Sequence, residues 1–169
     1  MLQVYTGNGK GKTTAAIGLA LRALGQGRRV FLVQFMKEGK DLGEIKALRR
    51  FRKIKILQAG SGERICRESV SLKDKQLAQK GLAASQEAIE SDKYDLVILD
   101  EANVALNFGL FKLGELKKIL KNRPQRLEIV LTGRDAHPEI LEIADLVSDI
   151  KELKHYYKSG IVARAGIEY

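Results

Sequence analysis

Leu2-Gln3-Val4-Tyr5, then Thr6-Gly7-Asn8-Gly9-Lys10-Gly11-Lys12-Thr13-Thr14, then Ala15-Ala16-Ile17-Gly18-Leu19-Ala20 is the stretch that decides the fold. The apolar residues 2–5 predict a buried strand, and the almost wholly apolar residues 13–24 predict a helix packed deep against a sheet. A glycine-rich segment joining a strand to a helix is the setting of a phosphate loop. Glycines at 7, 9 and 11 let the backbone fold around phosphates with its N–H groups inward, and the helix N-terminus adds positive potential there. In this reading Gly7, Asn8, Gly9, Lys10, Gly11 and Thr14 form the cradle and Lys12 bridges phosphate oxygens. The Thr13 hydroxyl holds Mg²⁺, or Mn²⁺ in its place. The general pattern is Gly, any four residues, then Gly-Lys-Ser/Thr. Here Thr6 stands where the first glycine is expected and Gly7 follows one place late, so the loop is a variant.

Outward from the loop, Leu96-Val97-Ile98-Leu99-Asp100-Glu101 reads as a buried strand ending in two carboxylates, one of which approaches the cation directly or through water. Loop and acids together, in this order, predict nucleotide binding. Further strands are predicted over residues 30–35, 54–57 and 127–131. Helices are predicted over residues 71–90, opened by Ser71 and Asp74 as an N-cap pair, and over residues 107–122, ending before Pro124. Continuous apolar strands alternating with helices predict an α/β, doubly wound, mostly parallel sheet. Residues 147–157 and 161–165, separated by Lys158-Ser159-Gly160, predict a C-terminal strand pair.

The 169 residues fit one domain, and 44% hydrophobic residues exclude intrinsic disorder. No apolar run approaches a membrane span, and no export signal is readable after Met1, so a cytoplasmic location is expected. One cysteine, Cys66, and two histidines exclude an internal disulfide and a four-ligand zinc cage. The formal charge of +9 points to an anionic partner. The densest basic stretch, Lys46 to Lys55, has Phe51 as its only aromatic residue; it reads as a solvated face instead of a nucleic-acid groove.

Gly7 through Ala16, Leu99-Asp100-Glu101, Leu131-Thr132-Gly133-Arg134, Glu142-Ile143-Ala144-Asp145, Lys154-His155, Gly160, Ala163 and Gly166-Ile167-Glu168-Tyr169 resemble, in order, the ATP:corrinoid adenosyltransferases of the CobA/BtuR type. The loop without its first glycine is that family's own form. The resemblance implies a RecA-like P-loop fold and attachment of the 5′-deoxyadenosyl group of ATP to Co(I) of cobalamin or cobinamide, with release of triphosphate. It also implies an electron donor that supplies Co(I), and a homodimer. Lys12 and Arg134 would then stabilise the leaving triphosphate. Relatives often carry aromatic residues in the loop after the third strand, and some have an N-terminal arm. Residues 60–67 contain no aromatic residue, and no such arm is expected. Ile65, Val104 and Phe108 are expected to exclude water from the corrinoid instead, with Asn103 facing the ligand.

Several residues admit two readings. Arg134 contacts phosphate or makes a helix-entry salt bridge, and Asn103 and Asn107 face a cleft or cap a helix. His137, His155 and Cys66 read first as structural or bystander groups, and one of Tyr156 and Tyr157 as packing. Two other functions fit the loop: a nucleoside-triphosphate hydrolase, switch or small-molecule kinase, and a basic nucleic-acid-binding module regulated by nucleotide.

Overall fold

A computed structural model describes residues 1–39, 41–63 and 65–168. Arg64, which falls within residues 60–67, and Tyr169 of the tail lie outside the described residues. The strands are β1 (Leu2–Thr6), β2 (Val30–Phe35), β3 (Ile54–Ala59), β4 (Leu96–Asp100), β5 (Glu128–Thr132) and β6 (Leu146–Asp149). They form one six-stranded sheet in the order β3-β2-β4-β5-β1-β6, and every pairing is parallel. The helices are α1 (Lys12–Gly25), α2 (Gly43–Leu48), α3 (Leu72–Glu90), α4 (Ala102–Asn107), α5 (Leu113–Lys121) and α6 (Pro138–Glu142). This is an α/β architecture of the P-loop NTPase kind.

The apolar runs become strands because each is covered on both faces. Along β2, Val30 and Leu32 face Ala16, Ala20 and Leu24 of α1 and Ile45 and Leu48 of α2, while Phe31, Val33 and Phe35 face the cluster built by α3 to α6. Helix α1 buries one stripe, spaced four residues apart, and leaves its outer side in solvent, Leu21 being 43% exposed. Its apolar composition therefore overstates its burial. The predicted N-cap of α3 forms as a capping box: the Ser71 hydroxyl accepts from the Asp74 N–H, and the Asp74 carboxylate accepts from the Ser71 N–H.

Two expectations are corrected. Residues 107–122 are not one helix: α4 ends at Asn107, Gly109 takes φ 67°, and α5 starts afresh at Leu113, the Glu115 carboxylate accepting from the Lys112 N–H (2.7 Å). The C-terminal strand pair is also absent among the described residues. Only Leu146–Asp149 is a strand, laid parallel on the free edge of β1. Beyond it the Ile150 carbonyl accepts from the Gly9 N–H (2.7 Å), Tyr156–Ser159 winds into a 3₁₀ turn closed by Gly160, and Glu168 gathers the tail. These bonds use the backbone groups that a hairpin ladder would need.

The order of strands positions the site. Strand β5 lies between β1, which ends in the glycine loop, and β4, which ends in the two acids. Since all strands run the same way, the segments leaving their C-terminal ends meet along one rim.

Candidate functional site

Along that rim the chain turns through positive φ at Gly7 (91°), Met36 (59°), Glu101 (59°) and Gly133 (129°), which follow β1, β2, β4 and β5. The turns leave a cleft of about 930 Å³. The structure brings Asn8, Gly9, Lys10, Gly11, Lys12, Thr13, Thr14, Ile65, Glu101, Phe108 and Arg134 into its walls, along with Val104 and Asn107.

The shifted glycine has a packing cause. Thr6 is still part of β1, paired with Asp149, and its carbonyl accepts from the Ile150 N–H. A Cβ at Gly7 would stand 2.3 Å from an Asp149 carboxylate oxygen, and one at Gly9 would stand 2.7 Å from the Lys151 carbonyl oxygen. The loop is pressed against the chain leaving β6, and only glycine fits at both places. Gly7 accordingly sits on the outer side of the loop, away from the cleft. The Lys12 ammonium lies in the hollow of the loop and donates to the Gly7 and Gly9 carbonyls, each at 2.7 Å. Burial, and after it the nearby Arg134 guanidinium, pulls Lys12 below the ordinary lysine range.

Asp100 and Glu101 differ sharply. Asp100 is 1% exposed and lies beneath the cleft. Its Oδ1 accepts from the Thr13 hydroxyl (2.8 Å) and the Thr132 hydroxyl (2.6 Å), its Oδ2 from the Lys37 ammonium (2.8 Å) and the Gln34 amide (3.3 Å). Both oxygens are thus occupied. Glu101 opens into the cleft, and its carboxylate enters no ion pair among the described residues. Burial, reinforced by the Asp100 charge, pushes it above the ordinary glutamate range. Burial also works against the charge of Lys37, but Asp100 outweighs it and holds the ammonium above the usual lysine value.

The residue types suit a hard divalent cation. The Thr13 proton is committed to Asp100, which leaves the Thr13 oxygen free to ligate, and Glu101 offers a carboxylate with no ion-pair partner among the described residues. Among the described residues no cluster of three or more His, Cys, Asp or Glu forms a cage. A hard cation such as Mg²⁺ commonly takes one or two protein oxygens and completes its shell with phosphate and water.

Asn103 requires correction. It is fully buried, donates to the Gly133 carbonyl (3.2 Å) and does not reach the cleft. Arg134 is exposed at the rim and enters no ion pair among the described residues, so the salt-bridge reading fails. Sequence reasoning missed Gln34, Lys37 and Thr132 as members of this network. His155, expected to be structural, lines the cleft with Gly166, Ile167 and Glu168 of the tail. That tail is tied to the loop by Lys10, which donates to the Ile167 carbonyl (2.9 Å) and pairs with Glu168. Arg164 and then the Tyr156 hydroxyl hold Glu168 far below the usual carboxylate range. His137 caps α6, and Cys66 is an exposed thiol in the loop after β3.

Comparison with known proteins gives a consistent likeness. The family model described as ATP:corrinoid adenosyltransferase BtuR/CobO/CobP matches residues 1–169. A corrinoid adenosyltransferase of Pseudomonas aeruginosa is 35% identical over 170 residues, covering 100% of this chain and 83% of that protein. One from Escherichia coli is 35% identical over 176 residues, covering 98% and 84%, and one from a Sinorhizobium species is 33% identical over 171 residues, covering 100% and 80%.

Proposed function

The chain belongs to the ATP:corrinoid adenosyltransferase family and transfers the adenosyl group of ATP to a corrinoid, and we propose how its residues divide that work. It acts as a single catalytic domain, with cobalamin or cobinamide as the acceptor. The observation that carries the reading is one cleft lined by both kinds of group: the glycine loop, Lys12, Thr13, Glu101 and Arg134 are polar, and Ile65, Val104 and Phe108 are apolar.

Co(I) of the reduced corrinoid attacks the C5′ carbon of ATP. The new Co–C bond takes both electrons from cobalt, and the C5′–O bond breaks with its electron pair leaving on triphosphate. No protein nucleophile or base is needed. Charge builds on the leaving group, so fixed donors aimed at it are the main catalytic resource. The loop N–H groups and Lys12 provide them at the floor of the cleft, and Arg134 at its rim. Release of Lys12 from the Gly7 and Gly9 carbonyls lets its ammonium turn to the phosphates. Thr13 and Glu101 would hold Mg²⁺, which when bound supplies positive charge to the phosphate oxygens. Asp100 supports Thr13 from below. Ile65, Val104 and Phe108 keep water from cobalt.

An external electron donor supplies Co(I), and the enzyme works as a homodimer in the cytoplasm, where ATP is made. Exposed Leu146 and Val147 on the edge strand and Val162 in the tail support a covered surface there. Among the described residues no helix is long and apolar enough to cross a membrane. The test is anaerobic incubation with ATP, Mg²⁺ and chemically reduced cobalamin or cobinamide. A cobalt–carbon absorption spectrum with stoichiometric triphosphate is expected. Orthophosphate without that spectrum would overturn the reading in favour of a hydrolase.

A further inference from the structure

Lys37 belongs to neither the glycine loop nor the acid pair, yet it holds the one full positive charge bonded to Asp100 among the described residues. Its placement is built from three sides. Gln34, three residues earlier on β2, is in register with Asp100 on β4, so the chain leaving β2 starts beside the carboxylate. Met36 then takes φ 59°, a left-handed turn that costs backbone strain in a residue with a side chain, and this sends Lys37 back over the sheet edge. Gly60, at the end of β3, locks that turn: a Cβ there would lie 2.4 Å from the Lys37 nitrogen and 2.4 Å from the Met36 carbonyl carbon. Strain held in place by packing beside a site is a mark of function, and nothing in the catalytic reading uses it.

The chemistry of Asp100 gives the reason. A carboxylate 1% exposed needs a counter-charge. Without Lys37 it would face Thr13, Thr132 and Gln34, all neutral, and would draw in a cation or a proton of its own. With Lys37 on Oδ2, Oδ1 stays an acceptor for the Thr13 and Thr132 hydroxyls. The Thr13 proton then points inward and its lone pairs face the cleft.

We propose that Lys37 is a positioning residue which fixes Asp100 as the acceptor for Thr13, so that Thr13 and Glu101, and not Asp100, are the protein's ligands to the divalent cation. The proposal rests on the cation site described above. Its test needs no turnover: binding of ATP is measured by calorimetry across a Mg²⁺ titration and again with excess EDTA, without corrinoid. Lys37→Met and Lys37→Gln should each raise the Mg²⁺ concentration for half-saturation about tenfold, as loss of a partner behind a metal ligand does. Binding in EDTA should be unchanged, and Lys37→Arg, which restores the charge, should recover most of the loss. Lys37→Gln keeps a hydrogen-bond donor and covers the case in which Lys37→Met does not fold. An unchanged Mg²⁺ dependence in the folded variants would overturn the proposal. So would an equal loss in EDTA, which would make Lys37 a phosphate contact. Absence of any Mg²⁺ effect in the unsubstituted protein would instead overturn the cation site itself.

Discussion

Thr132→Val removes one hydroxyl from the centre of the site while keeping volume and β-branching. Thr132 is fully buried at the end of β5. Its hydroxyl donates to Asp100 Oδ1 at 2.6 Å and accepts from the Glu101 N–H at 2.9 Å. The first bond goes to a charged acceptor, worth about 1.5–3 kcal/mol, and losing the second leaves a partly buried N–H without a partner at a cost of about 1 kcal/mol, the low end of the range for a buried group. Burial of the added methyl returns about 0.8 kcal/mol. The net loss is about 2.5 kcal/mol, which in a chain of this length lowers Tm by about 7 °C. Urea unfolding without nucleotide measures it, with an unchanged slope showing that the unfolded state is not at issue. Thr132→Ser keeps both bonds and gives up one methyl, a loss of about 1 kcal/mol. If the valine variant proves as stable as the serine variant, the hydroxyl network does not hold the acids in place.

Lys12→Ala should lower kcat by about 10²–10³ with little change in Tm, because the ammonium bonds only loop carbonyls; normal turnover in the folded variant would refute its role. In activity titrations, Thr13→Ala and Glu101→Gln should raise the Mg²⁺ requirement more than Asp100→Asn, and identical dependence in all three would remove the assignment of the cation to Thr13 and Glu101 in preference to Asp100. Ile65→Ser and Phe108→Ser should impair use of cobalamin, which has a lower ligand to displace, more than use of cobinamide; equal losses would show that these side chains do not govern cobalt coordination. The Ser71 hydroxyl holds the Asp74 carboxyl below the ordinary 3.8, so its stabilisation is complete above that value and disappears as pH falls through the folded value. Asp74→Asn should therefore cost about 1 kcal/mol at neutral pH, and the gap in urea unfolding should close in acid; a gap that persists there would refute the link to its charge.

The features legible in the sequence are those written over contiguous residues. The glycine loop, the continuous apolar strands and the Ser71–Asp74 cap depend on neighbours a few positions apart, and strand, loop and helix follow one another in the order they act. The acid pair was legible for the same reason, but not the division between its members, because burial decides it. Asp100 ends inside β4 and is sealed by Thr13, Thr132, Gln34 and Lys37, whereas Glu101 turns out into the cleft through a left-handed backbone. Lys37 and Thr132 stand 63 and 32 residues from the aspartate they serve, and no periodicity links them to it. The tail misled for a related reason. Its alternating apolar residues suit a strand, but the Gly9 N–H and the Lys10 ammonium, far away in sequence, claim the partners at Ile150, Ile167 and Glu168. Local pattern thus determined which elements form, and the parallel order of the sheet, with β5 placed between β1 and β4, decided which side chains meet, because it brings the ends of distant strands to one rim.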